Sequence, residues 1–312
     1  MARSWTEKDI ADLTGKTFIV TGANSGIGFE AARALAAKGG TVVLACRSVD
    51  KGQAAAERIR LEHAAARTAV KELDVSSLAS VRAFADRFAR EHARLDVLVN
   101  NAGVMAIPRD ETVDGFEVQM GTNHLGHFAL TGLLLRRLIE SAPSRVVSVS
   151  SMMHTRGQFG ALDAEDLRLT AGYTKWGAYG RSKLANLLFA YELQRRLELG
   201  HPTVLSVACH PGYANTNLQS VGPAMSGSAI DRAVMAAGNA LFAQSARAGA
   251  LPTLYAAVAE GIRGGEFIGP RGPLAMWGAP VSQKSSRASR DVYAAKKLWQ
   301  TSEELTGVTY AF

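Results

Sequence analysis

Two cysteines, Cys46 and Cys209, are all that this chain of 312 residues contains. Neither has a metal-ligand partner at a zinc-site spacing, so no metal centre is expected. Without a disulfide framework, a reducing cytoplasm is the expected compartment. Long hydrophobic runs are missing as well. Nothing reaches the ~18 apolar residues of a membrane span, and the stretch Ala233–Ala259 is broken by Gln244 and Arg247. Met1–Gly15 is polar and mixed in charge and lacks the apolar segment of a secretory leader. Basic residues are not clustered either. The net charge is +7, yet the lysines and arginines are scattered, which argues against a nucleic-acid partner. One small anionic ligand would need only one or two of them. No repeat, linker or low-complexity tract divides the chain. Hydrophobic residues make up 47%, enough at this length for a large core without covalent staples.

What the sequence does contain is alternation. Short β-branched runs at Lys16–Thr21, Thr41–Ala45, Ala69–Asp74, Leu95–Asn100, Arg145–Ser150 and Val204–Ala208 read as strands. Between them, Gly26–Lys38, Lys51–Ala66, Leu78–His92, Gly115–Ile139 and Trp176–Leu199 read as amphipathic helices. The pattern predicts an α/β fold, a doubly wound parallel sheet with helices on both faces. The strands are nearly all apolar, as both-sided burial requires. If the strand order is 3-2-1-4-5-6, Cys46 and Cys209 end strands too far apart to be bridged. The pattern changes at Leu218. Glu266–Ile268 reads as a last strand, Arg271–Arg290 as irregular and Asp291–Leu305 as a final helix. One domain over residues 1–312 is expected, with a core over about 16–216 plus 265–270 and a substrate lid over about 217–260.

Thr21–Gly28 reads TGANSGIG and joins the first strand to the first helix. Gly22 permits a tight turn, Gly26 a close approach of backbone to a pyrophosphate, and Gly28 close packing of helix on strand. The helix N-terminus adds free N–H groups and positive potential for the anion. The turn as a whole, with Asn24, Ser25 and Ile27, is therefore a candidate dinucleotide cradle. At the end of the second strand, where an acidic residue would take a ribose 2′-OH, stands Cys46-Arg47-Ser48. A guanidinium there suits a 2′-phosphate, so NADP(H) is favoured and NAD(H) stays open. Asp74 ends the third strand and Asn100-Asn101-Ala102-Gly103 the fourth, at the edge where such sheets bind ligands. Asp74 would also serve as a simple helix cap.

TGANSGIG, the NNAG at Asn100–Gly103 and the YxxxK at Tyr179–Lys183 together resemble the short-chain dehydrogenase/reductase superfamily, over about Lys16–Thr216. The ACR at Ala45–Arg47, the TNHLGHF at Thr122–Phe128 and the run Ser182–Asn186 resemble its retinol-dehydrogenase-like branch. The resemblance implies a Rossmann fold and an oxidoreductase that interconverts a small-molecule carbonyl and alcohol by hydride transfer. It implies a tetrad of Asn123, Ser151, Tyr179 and Lys183. It also implies Pro211, Gly212 and Thr216 beside the nicotinamide carboxamide, and Asp74 and Val75 at the adenine. Met153 and Tyr213 join Ser151 and Tyr179 on the substrate side.

The residue types suit that chemistry. Tyr179 and Lys183 stand at i and i+4 and share a helix face. A nearby ammonium favours the phenolate, so the tyrosine pKa is expected to fall from about 10 towards the working pH. Ser151 would hold the substrate oxygen by a hydrogen bond. Asn123 would support an ordered water next to Lys183. Tyr173 lacks a lysine four residues on. His124, His127, His154 and His210 have no partner at metal or triad spacing, and structural roles are expected for them.

The segment Met152–Ala178 is longer than in many members of the superfamily, and it is expected to line the substrate pocket. It also leaves a homo-oligomer an open question. With the apolar residues of Leu218–Leu251 it suggests a hydrophobic substrate, although those residues would equally pack the lid onto the core. Two other functions compete. A redox sensor or scaffold that binds the dinucleotide without turnover typically lacks the tyrosine or lysine, and both are present. A sugar-nucleotide epimerase would have a different glycine spacing and a larger C-terminal domain.

Overall fold

Alternation along each central strand sends neighbouring side chains to opposite faces of one sheet. Phe18 and Val20 of β1 (Thr17–Thr21) face one layer of helices and Ile19 the other. In β2 (Thr41–Cys46), Val42, Leu44 and Cys46 share the first face, Val43 and Ala45 the second. The computed structural model describes residues 4–169, 172–214 and 243–312. The remaining strands are β3 (Arg67–Glu72), β4 (Val97–Asn100), β5 (Ser144–Val149), β6 (Val204–Cys209), β7 (Phe267–Pro270) and β8 (Pro280–Gln283). The order across the sheet is β3-β2-β1-β4-β5-β6-β7-β8. All neighbours pair in parallel except β7 and β8. This is the doubly wound α/β fold expected from the sequence.

Among the described residues the helices are α1 (Gly26–Ala37), α2 (Val49–Glu62), α3 (Leu78–Glu91), α4 (Val118–Met120), α5 (Gly126–Glu140), α6 (Ala164–Arg168), α7 (Lys175–Gly200), α8 (Ala246–Val258) and α9 (Val292–Thr306). α1, α2 and α8 cover one face, and α3, α5 and α7 cover the other. α9 closes over α5 and α7 through the fully buried Trp299, whose ring lies 5.1 Å from that of Phe128 and 5.8 Å from that of Phe189. Among the described residues no helix is long and apolar enough to cross a membrane.

Three segments depart from the sequence reading. Arg271–Arg290 is not wholly irregular, because it contains β8. A four-residue strand that begins with proline carries too little alternation to be read alone, and its pairing with β7 decides it. The single helix expected over Gly115–Ile139 starts at Val118 and is interrupted by a π turn at Gly121–Leu125. Glu117 delays the start, since its carboxylate accepts the N–H groups of Gln119 and Met120 at 2.9 and 2.8 Å. Asp74 lies beyond the end of β3 rather than closing it. Its Oδ1 accepts the Ser76 N–H and hydroxyl at 2.9 and 2.6 Å, which turns the chain. Most of the expected lid, 217–242, and Thr216 lie outside the described residues. The described part, Ala246–Val258, is a core helix packed on the face that α1 covers.

Three histidines lie in or beside this core. Burial pushes the His124 imidazole down to about 3 and those of His127 and His210 to about 4. All three are depressed, so the unfolded chain binds more protons between about pH 4 and 6.5. Their contribution is therefore present above pH 6.5 and lost as pH falls towards 4. At pH 5 relative to pH 7 each fully buried neutral histidine costs roughly 2 kcal/mol by this linkage. Urea unfolding at the two pH values is expected to show a clear loss at pH 5; equal stabilities would contradict the neutral assignment.

Candidate active site

The glycine turn begins where β1 ends. Gly22 and Gly26 have φ of +66° and +57°, in the left-handed region that favours glycine. The Gly22 N–H donates to the Ala45 carbonyl at 2.8 Å, so the turn is pinned to β2. A Cβ on Gly28 would come within 2.5 Å of Asn101 Nδ2 and 2.6 Å of the Gly22 carbonyl oxygen, which leaves no room for any side chain there. Ser25 is the N-cap of α1 but makes no side-chain capping bond. The N–H groups of the first turn therefore stay available beside the partly exposed Asn24, Ser25, Gly26 and Ile27.

Asn101 and Ala102 are held to this turn by Thr21. Its hydroxyl accepts their backbone N–H groups at 2.9 and 2.8 Å, and the Asn101 amide donates to the Thr21 carbonyl at 2.7 Å. Arg47 is exposed just beyond β2 and forms no ion pair among the described residues. Ser48 caps α2. Val75 is buried, and its carbonyl lies so close to Gly126 that no larger residue would fit at the start of α5.

Three elements carry the tetrad residues. Asn123 sits in the π turn, fully buried. Its Oδ1 accepts the Val104 N–H at 2.8 Å, and its Nδ2 donates to the Val104 carbonyl and to Ser182 Oγ, both at 2.9 Å. The amide is thus a brace between the β4 loop and α7. Gly103 lies across the cluster, where a Cβ would stand 2.8 Å from Asn123 Oδ1 and 3.7 Å from Lys183 Nζ. Lys183 is buried and donates to the Val149 carbonyl at 3.1 Å. Ser151 begins a 3-10 turn over Met152–Arg156, its hydroxyl accepting the N–H of the half-buried Met153 at 3.2 Å. The same hydroxyl is near enough to the Tyr179 phenol to favour its phenolate. This meeting depends on Gly157 and Gly180. A Cβ on Gly157 would come within 2.5 Å of the Gly180 carbonyl oxygen, and one on Gly180 within 2.9 Å of that of Met153.

The electrostatics differ from the expectation for Tyr179. Burial pushes its phenol up to about 12, with the neighbouring Ser151 hydroxyl pulling the other way. Burial likewise pushes Lys183 down to about 8. The ammonium lies over the tyrosine ring, 5.7 Å from its centroid, and without further charge beside it desolvation of both groups dominates.

On the far side of β6, Gly212 has φ of +69°. Pro211 and Tyr213 flank it, the Pro211 carbonyl accepting from the Gln244 amide at 2.6 Å and the Tyr213 N–H donating to the Met276 carbonyl at 3.1 Å. Sequence reasoning missed Thr21, Ser182, Gly157 and Gly180. Only Gly180, directly after the tyrosine, carried a signal: a glycine inside a helix marks a close approach.

A family model described as short chain dehydrogenase matches residues 16–162. Retinol dehydrogenase 12 from Homo sapiens is 40% identical over 300 residues, covering 96% of this chain and 88% of that one. Retinol dehydrogenase 13 from Homo sapiens is 42% identical over 304 residues, covering 96% and 86%. A crystal structure of a protein without assigned function from Mycobacterium Paratuberculosis is 43% identical with a TM-score of 0.81, over 99% of this chain and 100% of that one. The chain belongs to the short-chain dehydrogenase family, in its retinol-dehydrogenase-like branch, and is an NAD(P)-dependent oxidoreductase acting on alcohol and carbonyl groups.

Proposed function

We propose that this enzyme interconverts a hydrophobic carbonyl compound and its alcohol with NADP(H), using Tyr179 as general acid and base. The observation that carries the reading is the buried Tyr179 phenol with the Lys183 ammonium over its ring, on the helix packed against the turn that Ser151 begins. The glycine turn fits a dinucleotide: two left-handed glycines, an uncapped helix N-terminus and a Gly28 with no room for a Cβ form a cradle for a pyrophosphate. Gly22, Asn24, Ser25, Gly26, Ile27 and Gly28 would hold it, with Asp74 and Val75 at the adenine and Asn101, Ala102 and Gly103 along the ribose. The exposed Arg47, without an ion pair among the described residues, and the adjacent Ser48 suit a 2′-phosphate. Pro211 and Gly212 would hold the nicotinamide end.

Bound NADP(H) would supply or take the hydride. The protein's residues handle the proton. A phenol kept protonated by burial is a ready donor to a carbonyl oxygen. Ser151 donates a second hydrogen bond to that oxygen as charge develops. Lys183 holds positive charge beside the ring, which favours the phenolate left after proton transfer. Asn123 keeps the β4 loop and α7 in register. Met152 and Trp176, 38% and 37% exposed, present apolar surface, and the Trp176 ring lies 6.3 Å from that of Tyr179. These side chains, with Met153, and the relatives' name of retinol dehydrogenase favour an apolar substrate.

Turnover is followed as NADPH absorbance with decanal and retinaldehyde. Tyr179→Phe is expected to lower kcat by at least ~100-fold while the NADPH Kd stays within about threefold. Full activity in that variant would sink the mechanism. Arg47→Asp is expected to weaken NADPH by ~10-fold or more and NADH hardly at all, since a charge-assisted phosphate contact contributes about 1.5–3 kcal/mol. Equal effects on the two dinucleotides remove the 2′-phosphate assignment. Lys183→Met gives a third check. The lysine pKa is depressed on folding to about 8, so its charge destabilises the fold below pH 8 and the penalty fades as pH rises towards 10.5. The Val149 carbonyl keeps the Asn186 amide as donor at 3.1 Å. The variant is therefore expected to lose turnover and gain up to roughly 3 kcal/mol in urea unfolding at pH 7; a clear loss of stability contradicts the buried charge.

A further inference from the structure

Two buried histidines stand directly behind the reaction site and belong to none of its chemistry. His154 follows Ser151 in the 3-10 turn. Its Nδ1 donates to the Ser151 carbonyl at 2.7 Å, and its Nε2 accepts the Ser286 N–H at 3.1 Å. His210 follows β6. Its Nδ1 accepts the Gly212 N–H at 3.2 Å, and its Nε2 donates to Gln283 Oε1 at 3.0 Å. The Gln283 amide in turn donates to the Pro270 carbonyl at 2.7 Å. Both ring nitrogens of both residues are therefore committed, in opposite tautomers, and neither imidazole is free to carry a proton to substrate. The two rings pack on Phe267 of β7, with centroid distances of 5.5 and 5.1 Å. Gly269 makes this possible, because a Cβ there would collide with His210 Nε2 and Gln283 Oε1.

The partners share one origin. Phe267, Gly269 and Pro270 belong to β7, Gln283 ends β8, and Ser286 follows it. On the site side, the histidines grip the backbone of Ser151 and of Gly212. We propose that His154 and His210 are positioning residues through which the β7–β8 hairpin sets the two walls of the reaction site, Ser151 on one side and Pro211–Gly212 on the other. This rests on the placement of Ser151 and Gly212 in the site under the proposed function. A displacement of about 1 Å at such a group is enough to cost on the order of 100-fold in rate.

His154→Phe and His210→Phe keep a ring against Phe267 and remove the hydrogen bonds. With decanal, His154→Phe is expected to lower kcat ~10- to 100-fold, leave the NADPH Kd within about twofold, and raise the isotope effect with NADPH deuterated at C4, because hydride transfer becomes slower. His154→Asn, which keeps a donor near the position of Nδ1, is expected to recover part of that kcat. His210→Phe is expected to raise the NADPH Kd by ~10-fold. Gln283→Leu leaves His210 in place, removes its acceptor and is expected to move the same Kd in the same direction, so it decides the matter if a histidine variant fails to fold. Variants that melt earlier but keep wild-type kcat, isotope effect and Kd overturn the proposal. If the wild-type protein binds NADPH yet turns over no carbonyl, the functional reading fails, and the Kd values of His210→Phe and Gln283→Leu still test the hairpin's hold on Gly212.

Discussion

Where β1 and β4 end side by side, their backbone groups run out of ladder partners inside a buried crevice. An unmade hydrogen bond there costs about 1–3 kcal/mol. Thr21 resolves it with one hydroxyl, fully buried, that accepts the N–H groups of Asn101 and Ala102. The same oxygen lies 2.9 Å from His127 Nε2. His127 Nδ1 faces the Asn123 carbonyl at 3.1 Å, which accepts its proton, so Nε2 is bare and Thr21 donates to it. Asn123 then reaches Val104 and Ser182. A chain of buried contacts thus runs from the glycine turn, through α5, to the helix that carries Tyr179 and Lys183. Loss of any link leaves a desolvated polar group, which is why these groups hold one arrangement.

The second constraint is room. Gly28, Gly103, Gly157 and Gly180 each stand where a Cβ would strike a neighbouring polar atom. These contacts decide how near the elements come. The turn meets the Asn101 loop, that loop crosses Asn123, and the 3-10 turn lies on α7. Ser151 and Tyr179 are far apart along the chain, and the close Gly157–Gly180 approach makes them neighbours. Backbone carbonyls take part at Gly28, Gly157 and Gly180, so much of the site is built on rigid main chain.

Burial also governs the charges. The same dry surroundings that push Tyr179 up to about 12 push Lys183 down to about 8 and keep His210 neutral. In the proposed reaction a tyrosine protonated in the free protein is suited to give its proton first, and taking one up in the reverse direction calls for additional positive charge nearby. α9 seats Trp299 against Phe128 and Phe189, and the Arg196 guanidinium of α7 lies 4.3 Å from the indole.

Much of this was legible from residues alone. Apolar alternation identifies a sheet covered on both faces, and the spacing of Gly22, Gly26 and Gly28 between a strand and a helix marks the turn. Both are local patterns, with periods of two residues, three to four residues, or a single loop. The i, i+4 spacing of Tyr179 and Lys183 is local too, and their shared helix face follows from it. Their proton affinities were not legible, because the balance between a neighbouring ammonium and desolvation depends on what covers them. Strand β8, the π turn around Asn123 and the approach of Gly157 to Gly180 were equally hidden, since each is decided by partners distant in sequence. TGANSGIG and YxxxK by themselves determined which chemical groups this protein has and on which kind of element each sits. Only the tertiary structure decided that Thr21, His127 and Asn123 tie those elements together, because buried hydrogen bonds and close backbone contacts are properties of neighbours in space.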